Sequence, residues 1–194
     1  MKKLNGSKKL ITSVFISGTG SNLKKLINFS FKKNSPINIV LVVSNNKYAK
    51  GLRFSKKYKI YSKIYQYKNK TKSENKILKD LKRKKVELIC LAGFMKILSK
   101  NFIKRFKGKI LNIHPSLLPK YKGLNTHKRV IENNEKFSGC TVHLVNSKLD
   151  SGKIILQKKI KINKKDNYKT LEKKILKQEH LLYPKAIKKF ISNY

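Results

Sequence analysis

Apolar residues and turn formers alternate along the chain in a strand–helix rhythm. Residues 10–17 (LITSVFIS) form a strand-like run, and Gly18-Thr19-Gly20 breaks it. Leu23, Leu26, Ile27 and Phe31 then recur at helical spacing over 21–31, and Pro36 stops that helix. Residues 37–44 are so dense in Ile and Val that they predict a strand buried on both faces. A helix over 48–58 and a short strand over 60–65 follow. Residues 73–84 read as a lysine-coated helix with Ile77, Leu78 and Leu81 inward. Next come a buried strand over 86–92, a short helix over 99–106 with Ser99 as N-cap, and a strand over 109–113. The remainder predicts a helix over 126–134, alternating strands over 140–146 and 153–162, and a last helix over 171–190, interrupted or kinked at Pro184.

This order predicts an α/β fold: a mostly parallel twisted sheet, helices on both faces, and one hairpin-like addition late in the chain. No repeat, linker or composition break divides the 194 residues, so one domain over 10–194 is expected, preceded by a flexible basic extension over 1–9. The apolar share of 39% suffices for a core and argues against intrinsic disorder. No apolar stretch approaches the ~18 to 20 residues of a membrane span. Met1-Lys2-Lys3 resembles the start of a signal peptide, but the apolar piece behind it, residues 14–16, is too short for one. A cytoplasmic protein with no membrane partner is expected. Cys90 and Cys140 each lie in an apolar stretch outside any CxxC, the pattern of two reduced core thiols.

The formal net charge is +40, which raises nucleic-acid binding. Only Arg53, Arg83, Arg105 and Arg129 among 49 basic residues are arginines, and the lysines are spread over every polar stretch. Nucleic-acid surfaces lean on the bidentate arginine fork, so compositional bias explains the charge better and no specific nucleic-acid partner is expected.

Two segments carry chemistry. A strand, Gly18-Thr19-Gly20-Ser21-Asn22-Leu23 and then a helix make a phosphate-binding arrangement, with free N–H groups and the helix dipole facing an anion. The third glycine of a dinucleotide fingerprint is missing and no Walker lysine follows; a plain tight turn between strand and helix has the same appearance. The second segment is Asn112-Ile113-His114-Pro115, closing a buried strand. Asn112 and His114, two apart, share a face. A fixed amide can hold a developing oxyanion, and an imidazole can deliver or shuttle a proton, as acyl-type transfer requires. Asp150, in a loop before Ser151-Gly152, would raise the pKa of His114 if the two met. His143 suits a core or supporting position and His127 a surface one. His114, His143 and Asp150 also form a possible metal set, but no HxxxH or HExxH spacing supports it, and no catalytic metal is expected.

Read together, these segments resemble one family, phosphoribosylglycinamide formyltransferase. The resemblance rests on ISGTGSNL (16–23), LAGFMKIL (91–98), LNIHPSLLPKY (111–121), TVH (141–143), LDSG (149–152) and QEH (178–180), in order from about residue 10 to 190. It implies a Rossmann-like formyltransferase fold and transfer of a formyl group from 10-formyltetrahydrofolate, a co-substrate, to the amine of phosphoribosylglycinamide in purine biosynthesis. It further implies that Asn112 donates to the oxyanion, His114 donates the proton and Asp150 keeps it basic and oriented. Gly20, Ser21 and Asn22 would hold the substrate phosphate, with Glu179 at its ribose or amine end. Met95, Lys96, Ile97 and Leu98, with Asn112 and the Asn146-Ser147-Lys148-Leu149 loop, would line the folate pocket, and Lys70 would meet the glutamate tail. Lys96 stands where the family often has Arg, Lys122 where it has Pro, and Ser147-Lys148 where it has acids. The partners implied are small molecules, and the assembly a monomer or homodimer. The alternatives within the superfamily are a formyltetrahydrofolate deformylase and a methionyl-tRNA formyltransferase. About nine residues precede the first strand and the chain ends at Tyr194, so neither the extra N-terminal domain of the first nor the C-terminal domain of the second is expected.

Overall fold

The computed structural model describes residues 9–193, which form two compact units. The first comprises the described residues up to Met95 plus Phe106–Gly108; the second comprises Lys96–Arg105 and the described residues from Lys109.

In the first unit, strands β1 (Leu10–Ile16), β2 (Ile37–Ser44), β3 (Ser62–Ile64) and β4 (Leu88–Leu91) alternate with helices α1 (Ser21–Ser30), α2 (Leu52–Lys57) and α3 (Lys70–Arg83). The strand order is β3-β2-β1-β4 and all three pairings are parallel. Parallel neighbours need a crossover, and a helix supplies each one. Val14, Phe15, Ile16, Leu41, Val42 and Val43 are fully buried, as expected of strands covered on both faces.

The second unit contains α4 (Lys100–Arg105), β5 (Lys109–His114), α5 (Thr126–Glu132), β6 (Phe137–Leu144), β7 (Ile154–Lys161) and α6 (Tyr168–Ser192). Its strand order is β5-β6-β7, paired antiparallel. The class is therefore the expected one, α/β, with parallel strands in the first unit and an antiparallel addition in the second. Ser99 Oγ accepts from the Phe102 amide at 3.0 Å, the anticipated cap of α4.

Several boundaries differ from expectation; β6 runs over Phe137–Leu144 and not 140–146, and α6 begins at Tyr168 and not 171 because Asn167 caps it. Helix α2 begins at Leu52, not 48, because the residues before it are committed to turns: Asn46 Oδ1 accepts from the Tyr48 amide and the Gly51 amide donates to Gly18. Helix α3 begins at Lys70, capped by the Asn69 side chain, which accepts from Lys72 N–H; its polar first turn gives no hydrophobic signal. Helix α6 runs through Pro184 without interruption. The hydrogen bond missing at Pro184 is offset by packing on either side: Tyr183, Ala186 and Ile187 are fully buried, and Tyr183 Oη donates to the Leu111 carbonyl at 3.0 Å. The expected extension over 1–9 lies, except for Lys9, outside the described residues.

Cys90 and Cys140 are buried and not joined in a disulfide, and burial pushes the Cys140 thiol up to about 12, away from a reactive thiolate. Among the described residues no helix is long and apolar enough to cross a membrane.

Candidate active site

Strand β5 positions the first two groups. Leu111 and Ile113 turn into the core, at 0% and 6% exposure, so Asn112 and His114 share the opposite face. Across the ladder, Asn112 pairs with His143 and His114 with Thr141. His143 therefore reaches the same face from β6.

Asp150 arrives from the loop after β6. Its backbone is left-handed, with φ 44°, a conformation Asp tolerates better than most residues. Gly152 makes the return possible, since a Cβ there would lie 1.7 Å from the Leu144 carbonyl oxygen. The loop thus folds hard against the end of β6 and delivers a buried carboxylate. Asp150 Oδ2 accepts from the Gly123 amide at 2.9 Å and lies 3.4 Å from His114 Nδ1. Its Oδ1 is 3.4 Å from Asn112 Nδ2 and 3.6 Å from His143 Nε2.

Main-chain acceptors assign the protons. His143 Nδ1 donates to the Leu144 carbonyl at 2.8 Å, so its Nε2 is the acceptor for Asn112 Nδ2 at 3.2 Å. The amide of Asn112 is thereby turned with its donors inward. His114 Nε2 donates to the Tyr121 carbonyl at 2.8 Å, which leaves Nδ1 toward Asp150. In the neutral ring Nδ1 is a bare lone pair facing a carboxylate; in the imidazolium both N–H groups have acceptors.

Burial pushes the His114 pKa below its ordinary value, even though the Tyr121 carbonyl and Asp150 pull it up. Asp150 does raise it, as expected, but desolvation of the buried ring outweighs one carboxylate. For Asp150 burial opposes the charge. The contact with the His143 side chain, then the Gly123 amide, then the His114 ring nevertheless hold its carboxyl below the usual range. His127, expected on the surface, is half-buried, and burial lowers its pKa too.

The segment after β5 completes the arrangement. Thr141 Oγ1 donates to the Ser116 carbonyl and accepts from the Leu118 amide, and Gln157 Nε2 donates to the Leu118 carbonyl at 2.8 Å. Tyr121 and Gly123 then offer one carbonyl to His114 and one amide to Asp150. Sequence reasoning missed both contacts, since main-chain donors and acceptors leave no side-chain signature. It weighed His143 as a core or supporting residue or a metal ligand, and its place opposite Asn112 follows from the β5–β6 register.

In the first unit, Gly18-Thr19-Gly20 joins β1 to α1. Gly20 has φ 72°, and a Cβ on it would meet Gly51 Cα at 2.4 Å, so only glycine fits. Helix α1 has neither a side-chain cap nor an acid in its first turn. A helix start of this kind suits an anion. Ser21 is half-buried and Asn22 buried at this helix start. Ser17 Oγ beside the loop accepts from the Met95 amide at 2.7 Å.

Comparison with known proteins places these features. Residues 10–187 match the formyl transferase family model. A phosphoribosylglycinamide formyltransferase of Haemophilus influenzae is 42% identical over 92% of this chain and 85% of its own length. This chain belongs to the phosphoribosylglycinamide formyltransferase family. The crystal structure of a family member from Brucella melitensis superposes with a TM-score of 0.89 at 41% identity, covering 94% of this chain and 96% of that one. A trifunctional purine biosynthetic protein adenosine-3 of Gallus gallus is 44% identical over 92% of this chain, which spans 18% of that much longer relative.

The remaining residues that the family resemblance singles out fall as follows. Glu179 lies buried on α6. Lys70 is exposed at the start of α3. Met95 and Ile97 are each 63% exposed, Lys96 is exposed, and Leu98 is buried at 6%. Asn146, Ser147, Lys148 and Leu149 are exposed in the loop that leads to Asp150.

Proposed function

We propose that this chain transfers the formyl group of 10-formyltetrahydrofolate to the amine of 5'-phosphoribosylglycinamide, releasing formylglycinamide ribonucleotide and tetrahydrofolate. The observation that carries the reading is the convergence of Asn112 and His114 on the Asp150 carboxylate, each 3.4 Å from one of its oxygens.

The amine nitrogen attacks the formyl carbon, and the carbonyl oxygen becomes an oxyanion. Asn112 Nδ2 is aimed by His143, and its second N–H makes only a 3.4 Å contact with Asp150, which it can exchange for that oxygen. His114 is neutral at rest, takes the proton shed by the amine, and gains full hydrogen bonding from Asp150 and Tyr121 as it does so. Collapse breaks the bond between the formyl carbon and the folate nitrogen, and His114 returns the proton to that nitrogen.

Gly20, Ser21 and Asn22 hold the substrate phosphate at the uncapped start of α1, and Glu179 meets the ribose or amine end. Met95, Lys96, Ile97, Leu98, Asn112 and the 146–149 loop bind the folate, with Lys70 toward its glutamate tail. Exposed Met95, Ile97 and Leu149 are apolar side chains of the kind a pterin site uses. The partners are these small molecules, with no specific nucleic acid and no membrane, in a cytoplasmic monomer or homodimer. The test is incubation of the protein with both substrates while deformylated folate and formylated amine are measured. Equal production of the two supports the transferase, and folate turnover without the amine overturns it in favour of the hydrolase.

A further inference from the structure

Both buried partners of the reaction lean on one short segment: Tyr121 accepts from His114 through its carbonyl, and Gly123 donates to Asp150 through its amide. Tyr121 has a left-handed backbone, φ 55°, a conformation a tyrosine does not hold by intrinsic preference. What holds it is a cluster outside the reacting groups. Glu135, just beyond α5, accepts from Tyr121 Oη and from Lys120 Nζ through one oxygen, each at 2.9 Å. Arg129 on α5 places its guanidinium over the Tyr121 ring at 5.3 Å and donates to the Lys122 carbonyl at 2.7 Å.

We propose that Glu135 is a positioning residue: by tethering Tyr121 it fixes the carbonyl that holds the His114 ring and the amide that holds Asp150. This rests on the function proposed above for the catalytic consequence, but not for the effect on the His114 ring. With Glu135 removed, Tyr121 keeps the Arg129 stack but loses the carboxylate that accepts from its Oη, and the 121–123 segment relaxes out of its left-handed turn. The His114 ring then loses an acceptor that favours its charged form. The other groups facing this ring, Asp150, His143, Arg129 and His127, are unchanged in charge by the substitution.

The experiment uses the full chain with Glu135→Ala, Glu135→Gln and Tyr121→Phe. The ring of His114 is titrated by NMR, and kcat and KM are measured for both substrates. Glu135→Ala and Tyr121→Phe are expected to lower the His114 midpoint and to reduce kcat about tenfold, the scale of a misplaced catalytic group, with each KM within about twofold. Glu135→Gln retains an acceptor for Tyr121 Oη and is expected to restore most of both properties. The double variant Glu135→Ala/Tyr121→Phe is expected to be no worse than either single one. An unmoved His114 midpoint in Glu135→Ala overturns the proposal, even if stability falls. A moved midpoint in a protein that transfers no formyl group, wild type included, would instead count against the function and leave the tether standing.

Discussion

His114 Nδ1 lies 3.4 Å from Asp150 Oδ2 with both side chains more than nine-tenths buried. Neither group reaches this position alone. The strand supplies the ring, a glycine-dependent loop supplies the carboxylate, and the 121–123 segment binds the outer edge of each. The arrangement favours an imidazolium that forms during reaction over one that persists at rest, since burial keeps the ring neutral until a proton arrives.

Asn112→Ala removes the donor held by His143 that the proposed mechanism offers to the oxyanion. Turnover is expected to fall by roughly 10²-fold or more, the scale of losing one such donor, with little change in thermal stability. Steady-state kinetics beside a melting curve checks both halves. Near-normal turnover removes Asn112 from the mechanism.

His114 and His127 both have pKa values lowered by burial. A lowered value means the unfolded state binds more protons than the folded one between the two pKa values. Their stabilising contribution is therefore complete above the ordinary histidine value of about 6.5 and declines as pH falls through the folded-state values. Urea midpoints measured from about pH 7.5 down to about pH 5 should decrease, and His114→Gln/His127→Gln should flatten that slope. An equal slope in the double variant would assign the acid sensitivity elsewhere.

Gly20→Ala puts a methyl 2.4 Å from Gly51 Cα at a residue with φ 72°. The start of α1 has to move, so KM for phosphoribosylglycinamide is expected to rise about tenfold or more while KM for the folate stays within about twofold. A rise confined to the folate would remove the phosphate from this loop.

Lysines rim every polar stretch of this chain, and its net charge is +40. Polyglutamylated folates should bind more tightly than the monoglutamate at low salt, and their KM should climb with ionic strength. A KM that stays flat for both forms between low and high salt refutes an electrostatic contribution.

Most of the strand framework was legible because buried parallel strands leave dense apolar runs; β2 was read to its last residue. Helix ends were harder. The starts of α2 and α3 are set by Asn46 and Asn69, whose side chains act on nearby amides and not on any hydrophobic face. The interruption expected at Pro184 is absent because tertiary burial of Tyr183 and Ile187 overrides a local breaker. At the site, period two placed Asn112 beside His114 correctly, and Asp150 and His114 do meet. The direction of the His114 pKa was not legible, because it depends on how deeply the ring is buried. The roles of Tyr121 and Gly123 escaped because they are played by peptide groups common to every residue.

Because Asn112 and His114 alternate with core-facing Leu111 and Ile113, β5 has only one productive alignment with β6. A slip by a single residue would send both polar side chains into hydrocarbon and present two aliphatic ones to the substrate. Molecules that misalign are therefore expected to be silent, not sluggish or promiscuous. The specific activity of a preparation then counts its correctly folded fraction, and a half-active sample is a mixture of whole enzymes and blanks.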